Sequence, residues 1–335
     1  MDFWAAQDRA RKKTKIYVTI FVVITLIVAT LSELAMRAFA PDTYQTNFPI
    51  VGLIFIALTF IVAGWNYSMY SSFGGSYVAK SIGAREIDPE TTNPHERQLL
   101  NIVQEMALAS GLSMPAVFII PAKQINAFAA GMNTDNAAIA ITEGALITLN
   151  RDEVQGVIAH EFGHIYNGDM CISMRLAAMI MGFFFVFFIG LRLIQVSALT
   201  GGRSSSNRQK GADPVALAAL IFMVAGIITY IAGKVLQAMV SREREYLADA
   251  CSVQFTRNPN GIANALRKIA SEHTAQDMPK TGAQFAHMYL NDRSAFSALF
   301  ATHPPIEKRI AAIEGKTYLP DEWKEGISEN QHFDS

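Results

Sequence analysis

The sequence predicts a mainly α-helical integral membrane protein with about four transmembrane helices and an α+β domain carrying a small sheet. Three observations lead there. Half of the 335 residues (51%) are hydrophobic and the mean hydropathy is +0.21, too apolar for an ordinary soluble chain of this size. Four apolar runs occur as two pairs, at 16–31 and 48–63 and again at 176–191 and 215–233. Between and after the pairs lie amphipathic helical patterns and short strand-like runs bounded by Pro, Gly or Asn.

Taken in order, residues 1–15 carry Arg9, Arg11, Lys12, Lys13 and Lys15 against Asp2 and Asp8, and the following apolar run, extended to Met36, is long enough to span. A cleaved signal peptide competes, but a small-residue cleavage site is missing and the second run follows almost at once. The pair reads as a transmembrane hairpin. Its connection, 41–47, has no Lys or Arg, so the positive-inside rule places the N-terminus and everything after Tyr70 in the cytoplasm, in a multi-pass protein of the cytoplasmic (inner) membrane.

Residues 71–92 read as a glycine-containing connector and 94–109 as a helix stopped by Gly111. Strands are expected at 116–120, 125–129 and 137–142, a short helix at 143–149, and a longer one at 152–166 capped by Asn150 with Glu153 reaching back. The runs at 176–191 and 215–233 form a second hairpin, either spanning or re-entrant, with a Gly/Ser/Arg-rich loop between them. Beyond it, 258–261 reads as a turn, 262–271 as a packed helix, and the region after Thr317 as a polar tail. The divisions are 1–70 (basic segment and first hairpin), 71–173 (first part of the α+β domain), 174–234 (second hairpin), 235–316 (second part of that domain) and 317–335 (tail).

The helix at 152–166 carries His-Glu-Phe-Gly-His. Four residues apart, His160 and His164 project from one face, so both imidazoles can ligate a single ion, while Glu161 stands where a carboxylate can take a proton from water. Two nitrogen ligands and a base are the parts of a zinc hydrolase. A third ligand is needed, and an extended motif would require Gly at 167 and His at 170, where Asn167 and Met170 stand. The candidate stretch is Ser-Arg-Glu-Arg-Glu-Tyr-Leu-Ala-Asp at 241–249. On a helix Glu245 and Asp249 share a face while Glu243 points away, so Glu245 can ligate as Asp249 hydrogen-bonds a ligand histidine. Read alone, the same stretch also suits a solvated helix of Arg–Glu pairs.

With HEFGH, SREREYLAD some 80 residues on, a hairpin between them, and the segments Asn-Ala-Phe-Ala-Ala-Gly at 126–131 and Thr-His-Pro-Pro at 302–305, the chain resembles the HtpX-type membrane zinc metalloproteases, relatives of the CAAX prenyl endopeptidases. The resemblance covers residues 77–315. It implies a zincin-like α+β metalloprotease domain, one Zn2+ per chain with Glu245 as third ligand, polypeptide substrates that include membrane proteins, and quality control at the cytoplasmic membrane surface. By the same resemblance Asn126 would contact substrate near the scissile bond, and His303 would stabilise the oxyanion or cover the metal, with Arg309 ordering its segment.

If His160, His164 and Glu245 share an ion, the second hairpin crosses the membrane an even number of times or not at all, even though Arg203, Arg208 and Lys210 then lie outside, against the charge rule. Counting twelve residues from His164 to 176, and twelve from Gly233 to Glu245, continuous helices keep the ion within ~18 Å of either apolar boundary. A net charge of −1 disfavours nucleic acid as a partner, and Cys171 and Cys251 have no metal-ligand spacing to one another. The rivals are a CAAX-type processing protease, which about four spans do not favour, and a metal-binding scaffold, which has no need of Glu161. A transporter is disfavoured because the ionisable residues gather at the ends of the apolar runs. The sequence does not specify an oligomeric state.

Overall fold

A computed structural model describes residues 3–200, 214–271 and 305–315. Its elements run α1 (Phe3–Phe39), α2 (Ile50–Ser81), β1 (Arg85–Glu86), α3 (Pro94–Ser110), β2 (Ala116–Ile120), β3 (Ala127–Ala130), β4 (Ala138–Thr142), α4 (Glu143–Thr148), α5 (Arg151–Tyr166), α6 (Asp169–Thr200), α7 (Pro214–Thr256), α8 (Pro259–Ser271) and α9 (Ile306–Ile313). The protein is mainly helical, and among the described residues four stretches are long and apolar enough to cross a membrane: Ile16–Phe39, Ile50–Ser81, Asp169–Ser197 and Pro214–Ala238.

The four spans pack as a bundle. Phe55 of α2 meets Phe222 of α7 with ring centroids 6.4 Å apart, and Phe21 of α1 meets Phe183 of α6 at 4.7 Å. Association in lipid relies on close backbone approach because lipid tails are as apolar as the side chains. The α6–α7 contact obtains it at Gly190 and Gly226, where an added Cβ would lie 2.4 Å from Met223 N and 2.3 Å from Phe187 N.

Four strands form a mixed sheet in the order β1-β2-β4-β3, with β2 parallel to β4 and the other pairs antiparallel. Both faces are covered, so β2, β3 and β4 are apolar on both faces, save for Thr142 at the end of β4, instead of alternating. Ile139 and Ile141 of β4 pack into a core with Leu99 and Val103 of α3, Val157 and Phe162 of α5, and Leu266 of α8. Ala138 and Ala140 face the other way, onto Tyr70, Val78 and Ala79 of α2 and Met174 and Ala178 of α6. The sheet is thus the layer that joins the α3–α5–α8 helices to the ends of the membrane helices.

The expected connector at 71–92 is helix as far as Ser81. Helix α2 continues through one non-helical residue, Gly74, at φ 60° and ψ −153°, a conformation that glycine adopts freely. That break turns Gly75 N toward Asn136 O at 2.9 Å and brings the helix onto the sheet, so that a Cβ at Gly75 would stand 2.1 Å from the Ala130 carbonyl oxygen. Replacing Gly75 with Ala is expected to destabilise the protein by about 3 kcal/mol, read as thermal unfolding in detergent; an unchanged transition would show that α2 is not clamped there. The expected turn at 258–261 is also partly helical, since α8 begins at Pro259, and β1 is a strand that its two exposed polar residues do not announce.

Candidate metal centre

Helix α5 starts on a capping box in which Asn150 Oδ1 accepts from Glu153 N (3.0 Å) and Glu153 Oε2 accepts from Asn150 N (2.8 Å). This fixes the helix start and therefore the angular position of the residues three turns on. Helix α7 crosses it closely. A Cβ at Gly163 would lie 3.0 Å from Ala248 Cα, and Ser252 Oγ donates to Gly156 O at 2.7 Å. The crossing sets His160 and His164 against Glu245 and Asp249, all but His164 fully buried.

The two imidazoles lie edge to face with centroids 4.7 Å apart, and each is held in the same manner. His160 Nδ1 is 2.9 Å from Asp249 Oδ1 and His164 Nδ1 is 3.2 Å from Asp169 Oδ2, so each ring in its neutral form can donate its Nδ1 proton to a carboxylate and offer its Nε2 lone pair to a cation. Both Nε2 atoms face Glu245, His160 Nε2 at 3.7 Å from Oε2 and His164 Nε2 at 3.5 Å from Oε1. Ligands about 2 Å from a tetrahedral ion stand roughly 3.4 Å apart, and one donor atom from each of the three residues lies within 4.8 Å of the others. Among the described residues His160 Nε2 is buried with no hydrogen-bond partner, the condition of an atom reserved for a ligand.

Charge makes the same case for a cation. Among the described residues of the site, four buried carboxylates, Glu161, Asp169, Glu245 and Asp249, face two buried guanidinium groups, Arg244 and Arg309, an imbalance that a divalent ion offsets. Arg309, from α9, is wholly buried. It bonds both oxygens of Asp249, Nη2 to Oδ1 at 2.7 Å and Nε to Oδ2 at 2.9 Å, and its Nη1 lies 2.9 Å from Glu245 Oε2. Burial alone would raise the Asp249 pKa, but Arg309 and then His160 outweigh it and hold it at about 2, so it stays ionised across any working pH. The Asp249 and Glu245 charges likewise raise the Arg309 pKa against its burial. His164 loses charge stability by burial, yet the Asp169 and Glu245 hydrogen bonds prevail and raise its pKa well above the ordinary value.

The structure therefore brings together His160, Glu161, His164, Glu245, Asp249 and Arg309. It also adds Asp169, which links His164 to Arg244 Nε at 3.2 Å and which sequence reasoning missed. The available signal was a carboxylate five residues past His164, behind a turn at Gly168 (φ 72°) that swings it back toward the ring. Asn126 immediately precedes β3, the last strand in the sheet order. Its Oδ1 accepts from Ala127 N at 2.9 Å, and its backbone N donates to Thr142 Oγ1 at 3.0 Å. His303 lies outside the described residues. Cys251 is buried and receives a weak contact from Asn167 Nδ2 at 3.5 Å, a packing role.

The sequence profile of peptidase family M48 matches residues 93–317, the whole span from α3 past α9. The chain belongs to peptidase family M48. Its relatives include a protein named "Protease HtpX homolog" from Caldanaerobacter subterraneus subsp. tengcongensis, 35% identical over 273 residues that cover 81% of this chain and 87% of that one. Another of the same name, from Syntrophobacter fumaroxidans, is 41% identical over 221 residues, 64% of this chain and 75% of the relative. Among solved structures, the crystal structure of S. mikatae Ste24p aligns with 93% of this chain and 66% of that one, at 16% identity and a TM-score of 0.46. As an M48 member with four apolar helices, the chain is a multi-pass membrane peptidase, and its buried His160–His164–Glu245 group is compatible with a metal ion.

Proposed function

We propose that the protein is a zinc-dependent endopeptidase that cuts membrane or misfolded proteins close to the cytoplasmic face of the inner membrane, a quality-control task. The observation that carries this reading is the paired histidines, each with Nδ1 tied to a carboxylate and Nε2 turned toward Glu245. His160 Nε2, His164 Nε2 and a Glu245 oxygen would hold the ion. When bound, zinc supplies Lewis-acid polarisation of the scissile carbonyl and acidifies water. Glu161, buried beside His160, takes the proton from the attacking water and passes it to the leaving amine. Asp249 and Asp169 fix ring tautomer and orientation, and Arg309 balances the charge of Asp249 and Glu245 without occupying either Nε2.

Substrate in extended form would lie along β3 by main-chain hydrogen bonds, with Asn126 at the start of that strand, a reading supported by the place of β3 at the end of the sheet order. Proximity to the bilayer favours juxtamembrane segments. Glu245 is seven residues beyond Ala238, about 10 Å of helix, and Asp169, bonded to His164, opens the α6 apolar stretch.

Protein purified in detergent with chelator is expected to be inert toward an unfolded polypeptide and to regain cleavage on adding zinc; chelator-resistant hydrolysis by metal-free protein would defeat the proposal. The orientation has its own test. Thr43 is exposed in the α1–α2 connection, so a Thr43→Cys variant should react with a membrane-impermeant maleimide in cells whose inner membrane is intact. Labelling only after lysis would place this connection, and with it the catalytic side, on the opposite faces.

A further inference from the structure

Each of the paired histidines is backed by a carboxylate and each carboxylate by a guanidinium, but the two arms differ in construction. On the His160 side Asp249 stands on α7, and Arg309 of α9 grips both its oxygens, at 2.7 and 2.9 Å. On the His164 side Asp169 is the first residue of α6, and Arg244 stands on α7, six residues beyond the end of the Pro214–Ala238 apolar stretch. Arg244 makes a single contact, Nε to Asp169 Oδ1 at 3.2 Å, while its Nη1 is buried with no partner among the described residues. Asp169 Oδ2 in turn lies 3.2 Å from His164 Nδ1. The His164 side chain is 17% exposed whereas that of His160 is wholly buried, so packing alone constrains His164 less.

Asp169 is buried, and a buried carboxylate with one oxygen on an imidazole needs a partner for the other. At the first residue of a helix, the free amides of the first turn compete for such a side chain. Arg244 supplies the opposing pull. By holding Oδ1 toward α7 it leaves Oδ2 on the His164 ring, and among the described residues no cation other than His164 and Arg244 pairs with Asp169. We propose that Arg244 is a positioning residue for the metal site: it keeps Asp169 on His164 Nδ1 and thereby fixes the direction in which His164 Nε2 is offered to the ion. This role presupposes the zinc ion proposed above. Because Asp169 opens the first helix of the second hairpin, the aim of His164 depends on where α6 lies against α7, whereas that of His160 depends on α7 and α9.

The test measures zinc affinity of the full chain in detergent by competition with a chromophoric chelator, with thermal unfolding of the metal-free protein as the control for folding. Arg244→Met is expected to weaken zinc binding about tenfold, the size of effect that loss of a ligand histidine's support produces. Removing a cation near a metal would by itself tighten binding, so weaker binding reports lost orientation and not lost charge. Since Arg244 makes one bond to one oxygen, Arg244→Lys can restore it and should bind zinc within about threefold of the parent; Arg309→Lys, which breaks a two-bond fork, should lose about tenfold. In an Asp169→Asn background, Arg244→Met should add nothing further. Unchanged or tighter zinc binding by Arg244→Met, a Lys variant no better than Met, or independent effects of Arg244→Met and Asp169→Asn would each overturn the assignment. Should Arg244→Met fail to fold, the Lys pair decides: equal losses in Arg244→Lys and Arg309→Lys overturn it. A parent that binds no zinc defeats the zinc reading and this role together, whereas a zinc-binding parent beside an unaffected Arg244→Met defeats this role alone.

Discussion

Replacing Glu161 with Gln is expected to lower peptide hydrolysis on the order of a thousandfold while zinc content and the unfolding transition stay as in the parent. The amide keeps the size and much of the hydrogen bonding of the carboxylate but cannot take up the proton of the attacking water. Glu161 is outside the nitrogen–carboxylate pairs that orient the histidines, since Asp249 serves His160 and Asp169 serves His164. Metal retention should therefore be untouched. Turnover of the Gln variant within about tenfold of the parent would remove Glu161 from the chemistry. A matched loss of zinc would move it from base to ligand.

The second large effect is on stability. Arg309→Met is expected to cost about 3–5 kcal/mol, because it leaves the Asp249 and Glu245 carboxylates facing each other in a buried site without their shared cation. The Asp249 carboxyl, now held at about 2, should rise as that partner is lost. Asp249 has a depressed pKa in the folded protein, so its contribution is fully present above the ordinary carboxylate range and is lost only as pH falls toward 2. Adding Asp249→Asn to Arg309→Met should recover part of the loss, since the pair is then removed together and one fewer buried charge is orphaned. Urea or thermal unfolding in detergent measures both. A cost below about 1 kcal/mol for the single variant would mean that water or a metal ion already satisfies these carboxylates.

Much of the site could be read before any coordinates. The spacing of His160 and His164, the Asn150–Glu153 capping box and the shared face of Glu245 and Asp249 all follow from 3.6 residues per turn acting within one helix. The four apolar stretches were legible for a similar reason, since bilayer thickness imposes a minimum run length. The extension of α2 past Tyr70 was not. A glycine pair ordinarily interrupts a helical pattern, and Gly74 does break the helix here; what the pattern does not reveal is that a second helical stretch resumes as far as Ser81, with Gly74 and Gly75 fitting closely against Asn136 and the backbone of β3 and β4.

By itself, then, the sequence determined which residue types sit on which helical face and which stretches belong in lipid. Local periodicity and hydropathy depend only on near neighbours along the chain. Only the tertiary structure decided which carboxylate meets which imidazole nitrogen: Asp169 on His164, Asp249 on His160, and Arg309 between Asp249 and Glu245. Those pairings depend on how closely α5 and α7 cross at Gly163 and Ala248 and on where α9 returns, distances set by packing across the core that no single helix encodes.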